Sequence, residues 1–441
     1  MRKKPSASQV RAKPAPLVTH RRGFLQVAAA GAAAFAIGRW PGLAHGYPAN
    51  SKLRLGVIGV GGRGGDNLNG VADEEIVALC DVDGNTLAAA AARFPAAAKF
   101  ADFRRMFDAG GLDGVVVSTP DHTHAPAAAR ALRAGLHVYC EKPLTHSVAE
   151  CRELLALAKA SKAATQMGTQ IHSNDNYRRV VELVQAGAIG AVTEVHVWVG
   201  GGYCGGQRPA DKPAIPAGFD WDLWLGPAPQ RDYHPAYAPF SWRGWWDYGN
   251  GTLGDMACHH MDLPFWALGI AGPTTIAVEG PPPDADACPP WLIVRYTMAR
   301  HGGGSVPLTW YHGDKRPRHF ADGLLPQWGN GTLFVGSKGM LLADYDRNVL
   351  LPEAAFTGFV RPAATIASSP GHYLEWIRQA KGEAIVATCR FEYAAPLTEA
   401  VLLGCVAHRA GNATLQWDAA KGTTGNPAAD RFLARAPRAG W

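Results

Sequence analysis

From Leu53 onward, short apolar runs alternate with helix-length segments. LRLGVI, EEIVALCDVD, GVVVSTP and HVYCEKP read as strands, and a stretch to about Phe94 and APAAARALRAG read as helices between them. This alternation predicts a parallel, doubly wound sheet with right-handed crossovers. Further on, Tyr177 to Ala186 has an amphipathic helical pattern stopped by Gly187, and the strand pattern VTEVHVWVG follows. WLIVRYTM, SVPLTWYH and GTLFVGSKGMLLAD predict strands joined by glycine turns, and a final helix is expected near His372 to Lys381. No internal repeat is visible. The pattern divides the chain into a leader over 1–46, an α/β domain over 51–169 and a second α/β domain over 170–441.

The leader orders its residues as exported proteins do. A basic stretch reaches Arg21-Arg22-Gly23-Phe24-Leu25, a weakly apolar VAAAGAAAFAIG follows, and small residues surround Gly42-Leu43-Ala44. Paired arginines directly before Phe-Leu resemble a twin-arginine signal. The apolar stretch is about 15 residues, short of the ~20 that span a bilayer, so a secretion signal is expected rather than a stable membrane anchor. The twin-arginine machinery would be a partner and the exported, periplasmic side the destination.

Composition narrows the class. With 47% hydrophobic and 18% charged residues the chain can bury more than one core, which excludes a disordered protein. The formal charge of +6 belongs to the leader: eight of the 43 Lys and Arg lie in residues 1–50, which hold no Asp or Glu, leaving 35 against 37 acidic groups. No electrostatic footprint for nucleic acid remains. The eight cysteines show no C-x-x-C spacing, and several, such as Cys80 and Cys140, sit in apolar runs, so neither a disulfide framework nor a zinc site is expected from them.

The first strand ends in Gly59-Val60-Gly61-Gly62-Arg63-Gly64, and the second ends in Asp81, 22 residues after Gly59. Glycines at this spacing let the backbone approach a pyrophosphate at a helix N-terminus, and an acid about 20 residues on bonds an adenosine ribose. The strand and helix context makes this a dinucleotide site. A carboxylate at Asp81 repels a 2′-phosphate, favouring NAD over NADP, although Arg63 could offset part of that. Ligands of such sheets lie beyond the carboxyl ends of the strands, which directs attention to Ser118-Thr119-Pro120-Asp121-His122-Thr123-His124 and Glu141-Lys142-Pro143.

These residues, Glu141-Lys142-Pro143 above all, resemble the Gfo/Idh/MocA oxidoreductases, and the resemblance runs from about Lys52 to the C-terminus. It implies an N-terminal Rossmann domain, then an α/β domain with a large, open, mostly antiparallel sheet often used for oligomer contacts, with a carbohydrate pocket between the two. A homo-oligomer, dimer or tetramer, is expected on that basis. By the same resemblance Gln170 would face the nicotinamide, and Tyr177 and Arg178 the substrate.

Asp255 and His259, in GDMACHHMD, are four residues apart, so on a helix they share a face and can reach one hydroxyl. The order D-x-A-x-H-x-x-D resembles the family's catalytic helix, with Ala257 where glycine is commoner, and with Lys142 completes its Lys, Asp, His set. Oxidising an alcohol sends hydride to the nicotinamide while a base takes the hydroxyl proton. His259 suits the base, Lys142 would stabilise the alkoxide and share the proton if its pKa fell, and Asp255 would orient the imidazole or bond a neighbouring hydroxyl. His260 is a substrate candidate. Two other readings stay open: a helix cap for Asp255, and metal ligation by Asp255, His259, His260 and Asp262 or by Asp121, His122 and His124. Hydride transfer to a nicotinamide needs no metal, and none is expected.

From Trp221 to Trp246, 26 residues hold five of the 14 tryptophans. The segment is either a sugar-stacking wall or a loop with its own core; Trp242, Arg243 and Trp245, which approach the Asp255 motif, are substrate candidates.

Export raises a chemical problem, since no pool of free NAD awaits an exported dehydrogenase. Tightly held NAD, loaded before export and regenerated in place, answers it. The readings are an oxidoreductase acting on a sugar, cyclitol or glycoside, a redox-neutral glycosidase passing through a 3-keto intermediate, or a non-catalytic sugar-binding protein. Met256 stands where the family's N-acetylgalactosaminidases carry tyrosine, and intact Lys142, Asp255 and His259 weigh against the last reading.

Overall fold

The computed structural model describes residues 51–384 and 387–441. The leader, with Arg21 and Arg22, lies outside the described residues.

The N-terminal sheet contains six strands: β1 (Arg54–Ile58), β2 (Glu75–Cys80), β3 (Ala98–Phe100), β4 (Gly114–Val117), β5 (His137–Cys140) and β6 (Thr165–Met167). Their order is β3-β2-β1-β4-β5-β6, with every pairing parallel. Helices α1 (Arg63–Gly70), α2 (Gly84–Arg93), α3 (Phe103–Ala109), α4 (Asp121–Arg133) and α5 (Val148–Ala160) make the crossovers. Helices on both faces explain why β4 is apolar and buried at every position. The strand order reverses between β1 and β4, which places a ligand crevice beyond their carboxyl ends. This is the Rossmann arrangement expected from the alternation.

Helix α4 begins earlier than the pattern suggests. Asp121 to His124, expected as loop, form its first turn after Pro120. Pro126 lies inside the helix and has no N–H for the carbonyl of His122; the Arg435 guanidinium donates to that oxygen instead.

The second domain opens with α6 (Asp175–Gln185) and β7 (Val192–Gly200). Next come α7 (Trp221–Leu225), α8 (Gly251–His260) and α9 (Asp262–Leu268), then the strands β8 (Ile270–Glu279), β9 (Leu292–Arg300), β10 (Ser305–Gly313), β11 (Asn330–Gly336), β12 (Gly339–Ala343) and β13 (Asn348–Leu351). With β14 (Thr414–Gln416) they form an eight-stranded sheet, order β13-β12-β11-β7-β10-β9-β8-β14, in which only β7 and β10 pair in parallel. One face carries Val195, Val197 and Val199 of β7 into a core shared with α8, α9 and the N-terminal domain. The other face carries Trp198, Leu333 and Leu342, packed with Leu325 from the segment between β10 and β11.

Two helices follow. In α10 (His372–Ala380), Trp376, Ile377 and Ala380 pack into the core of the N-terminal sheet. It is not the final helix. Phe391–Arg409 forms α11, 19 residues lying against α5, α8 and β8. Burial nearly all round removes the polar face that periodicity needs, and Pro396 within it reads as a breaker. Among the described residues no helix is long and apolar enough to cross a membrane. All eight cysteines are free thiols, and only Cys204 is exposed.

Candidate active site

The glycine turn after β1 is built for close approach. Gly59 has φ +78°, and a Cβ there would stand 2.8 Å from the Ser118 carbonyl oxygen. A Cβ on Gly64 would stand 2.0 Å from the Gly59 carbonyl oxygen, so any side chain would drive α1 away from β1. Gly62, φ +49°, caps α1 and has open space around its missing Cβ, whereas a Cβ on Gly61 would press on Thr86 at 2.9 Å. The result is a bare backbone leading into a helix N-terminus, which fits a pyrophosphate. Arg63 lies on the exposed start of α1 and pairs with Asp66 at 3.4 Å.

Asp81 sits just past β2, with Oδ2 accepting from the Val60 N–H at 2.9 Å and Oδ1 from the Asp83 N–H at 2.9 Å. Burial, only partly offset by these donors, raises its pKa above the usual carboxylate value. The carboxylate is thus fixed beside the glycine turn, where an adenosine ribose would reach it.

A polar network floors the crevice. Asn67 donates to Ser118 Oγ at 2.8 Å and to Glu141 Oε1 at 3.0 Å, and Gln170 donates to the same Glu141 oxygen at 2.7 Å and to the Tyr139 hydroxyl at 2.8 Å. Tyr373 of α10 donates to Asn67 Oδ1 at 2.7 Å. Gln170 begins a 3-10 turn rather than lying in a strand. Glu141, buried, therefore fastens α1, β5 and this turn together.

His122 and His124 do not face the crevice as free groups. The His124 ring bridges the Pro143 carbonyl at 2.8 Å and the Thr119 carbonyl at 2.7 Å, tying the two cofactor loops together. His122 contacts the Trp224 carbonyl at 2.9 Å and packs against the Trp224 and Tyr248 rings, anchoring the tryptophan-rich segment. Burial lowers His122 to about 3 and His124 to about 4, against the upward pull of the carbonyls that each ring meets. Their expected cofactor contact is corrected to bracing.

The reacting groups meet where β5 ends and α8 passes over it. Lys142 Nζ donates to Asp255 Oδ1 at 2.7 Å and to the Asp255 carbonyl at 2.9 Å. Arg243 Nε donates to the same Asp255 oxygen at 2.9 Å. Burial would raise Asp255, but Lys142 and Arg243 outweigh it and hold the carboxyl at about 2. Burial would likewise lower Lys142, yet the charges of Asp255 and Glu141 raise it above the ordinary lysine value. The condition on which Lys142 would share the proton, a fall in its pKa, is not met.

His259 is half-buried on the same helix, and its Nδ1 has no hydrogen-bond partner. Burial, then the Lys142 charge, pushes the imidazole well below its usual value, leaving it neutral at pH 7. Asp255 does not orient this ring: no hydrogen bond joins the two side chains, and Asp255 Oδ1 accepts from both cations. The helix is instead held from behind, where the Tyr177 hydroxyl donates to the His259 carbonyl at 3.1 Å.

Several substrate candidates prove structural. Tyr177, on α6, is buried. Arg178 is buried too, donating to Glu375 at 2.8 Å and to the Ala367 carbonyl at 2.9 Å. His260 is buried and stacks on Tyr345, ring centroids 4.7 Å apart. Trp245 is buried and donates to the Ala236 carbonyl at 2.8 Å; Trp242 is buried beneath the Arg243 guanidinium, 4.3 Å from its ring. Trp221 and Trp224 stack at 4.7 Å, so the tryptophan-rich segment packs its own small core. The candidate metal donors have separate partners: Asp262 accepts from Tyr393 at 2.7 Å and meets His172 at 2.8 Å, whereas Asp255 accepts from Lys142 and Arg243.

Two participants escaped the sequence. Asp121, fully buried, is pushed up to about 8 by burial and by the charge of Asp255, against the pull of Arg243 and Lys142. Tyr345 is half-buried beside His259, centroids 6.2 Å apart. The sequence offers Asp121 as a strand-end residue and a metal candidate but not as a buried acid, and nothing near Tyr345 in the sequence signals its place.

Comparison with known proteins places the chain. A model of an oxidoreductase family's NAD-binding Rossmann fold matches residues 53–169, and that family's C-terminal α/β domain matches 173–441. Inositol 2-dehydrogenase of Salmonella typhimurium is 30% identical over 150 residues, 33% of this chain and 45% of that protein. The Leifsonia xyli enzyme of the same name is 36% identical over 143 residues, 31% and 42% of the two chains. The chain thus spans less than half the length of these curated relatives. Among solved structures, the WlbA dehydrogenase of Bordetella pertussis, in complex with NADH and UDP-GlcNAcA, superimposes with a TM-score of 0.60 at 16% identity, covering 83% of this chain and 99% of that one. GenD2 from gentamicin A biosynthesis, in complex with NAD, gives 0.56 at 19% identity, covering 87% and 100%. These two likenesses speak to the fold. With both halves matched in order, the chain belongs to the Gfo/Idh/MocA family of NAD-binding oxidoreductases.

Proposed function

We propose that the protein is an exported dehydrogenase that oxidises a CH–OH group of a cyclitol or sugar and keeps its NAD, the NADH so formed passing its hydride to the carbonyl of a second substrate before the next turn. The observation that carries the chemistry is a cationic Lys142, held by Asp255, beside a neutral His259 at the carboxyl ends of the parallel strands. NAD, when bound, supplies the hydride acceptor. An ammonium has three donors, and Asp255 takes two of those of Lys142, leaving one for the substrate oxygen as negative charge develops there. His259, already neutral, takes the hydroxyl proton on a ring nitrogen. Asp255 acts as the anchor that keeps Lys142 charged and placed, with Arg243 as its second counter-ion.

Asp81 beside the glycine turn supports NAD over NADP. The inositol 2-dehydrogenases among the relatives support a cyclitol as first substrate to try. Export by the twin-arginine route, retention of NAD and assembly as a homo-oligomer belong to the same proposal, resting on Arg21-Arg22 and on the chemistry of an exported dehydrogenase.

The test uses protein expressed with its leader and purified without added nucleotide. Denaturation should release stoichiometric NAD, and incubation with myo-inositol or free sugars should reduce the bound cofactor. Cleavage of aryl glycosides without net NADH would replace the proposal by the redox-neutral glycosidase. Bound NAD that no sugar or cyclitol reduces would favour a binding protein.

A further inference from the structure

Strand β7 places Glu194 and His196 on one face of the second sheet, since residues two apart in a strand point the same way. That face is the one turned away from the catalytic helices. A 3-10 turn, Arg318–Phe320, lies over it and brings His319 against His196, ring centroids 4.9 Å apart. One donor atom from each of Glu194, His196 and His319 lies within 4.8 Å of the others. His196 Nε2 stands 3.5 Å from Glu194 Oε2, and His319 Nε2 stands 4.0 Å from Glu194 Oε1. Both histidines are more than nine-tenths buried, and His196 Nε2 and His319 Nδ1 have no hydrogen-bond partner. A buried ring nitrogen left unpaired is costly, and His196 Nε2, beside a carboxylate and a second imidazole, calls for a ligand.

We propose that Glu194, His196 and His319 bind a divalent transition-metal ion of the zinc class. Bonds of about 2.0–2.2 Å at tetrahedral angles set donor atoms about 3.3 Å apart, so small rotations of these side chains close the site. Two imidazoles and one carboxylate suit Zn²⁺, and three protein ligands leave a fourth position for water. Glu194 is part-exposed, which opens that position to solvent. His196 also has the outer support that metal-bound histidines usually have: its Nδ1 lies 3.1 Å from the Tyr311 hydroxyl oxygen, so a ring bound through Nε2 donates there. The ion would clamp the segment between β10 and β11 onto β7. The cysteine spacing pointed to no zinc site, and this one uses no cysteine.

The inference is independent of the proposed activity. Untagged, EDTA-treated protein is titrated with ZnCl₂ by calorimetry and with Co²⁺ by absorption. One ion per chain, with a cobalt ligand-field spectrum of low coordination number, is expected. Glu194→Gln, nearly isosteric and part-exposed, and His319→Ala should each weaken Zn²⁺ binding by more than about 100-fold, since losing only the hydrogen bond behind a metal-bound histidine costs about 10- to 100-fold. Tyr311→Phe should fall in that smaller range. Substitution of the exposed His301 by Gln should change nothing. Absence of binding at micromolar Zn²⁺, or equal binding by wild type and folded Glu194→Gln, overturns the proposal.

Discussion

Asp121→Asn tests the electrostatics of the active centre through stability alone. Asp121 is fully buried among Lys142, Arg243 and Asp255, and its folded pKa is about 8 against 3.8 in the open chain. Burial is the first cause and the charge of Asp255 the second. Between those two values the unfolded chain has released the proton while the folded protein still holds it. Stability therefore falls as pH rises through this window, by about 1.4 kcal/mol per unit, and levels off above about pH 8. The span of about 4 units corresponds to about 6 kcal/mol at most. Asparagine preserves the shape and removes the titration. Urea unfolding of both proteins from about pH 5 to pH 9 should show Asp121→Asn gaining on wild type with rising pH, then running parallel. A difference that stays constant across the range would refute a protonated Asp121 and with it the charge assignment of the centre.

His259→Ala should retain NAD, read by release on denaturation, yet lose turnover by about 10²- to 10⁴-fold, the usual worth of a general base; unchanged turnover removes that role. Asp81→Ala should narrow the preference for NAD over NADP measured by nucleotide titration, and an unaltered ratio would discard Asp81 as selector. Arg178→Met strips a buried partner from Glu375 and should cost about 3–5 kcal/mol of stability while leaving KM unchanged in the surviving native enzyme. A raised KM with normal stability would return Arg178 to the substrate.

Legibility followed distance along the chain. Gly59 to Gly64 and Asp81 could be read because strand, turn and helix stand within one local unit, and the backbone geometry they serve is set by near neighbours. Lys142, Asp255 and His259 could be named from their types, from one helical spacing and from a family resemblance. What they do to one another was not legible. Helical spacing pairs Asp255 with His259 four residues on, whereas space gives it Lys142, 113 positions away, and Arg243.

The same reason explains the substrate residues that moved to the interior. Tyr177, Arg178 and His260 lie on helices whose apolar or polar pattern tells that one face is covered, and never by what. Arg178 found Glu375, 197 residues away, and Asn67 found Tyr373, 306 away. Helix α11 went unseen because burial on every side erases the periodicity that reveals a helix. Asp121 and Lys142 carry pKa shifts that their residue types do not contain, since burial and neighbouring charge arise only when separate elements close around them. Sequence alone determined the order of elements, the two-domain α/β plan and the chemical types available at the strand ends, because these depend on local backbone preference and side-chain period. Tertiary packing alone decided which carboxylate holds which cation, which histidine stays neutral and free, and that Glu194, His196 and His319 share one pocket.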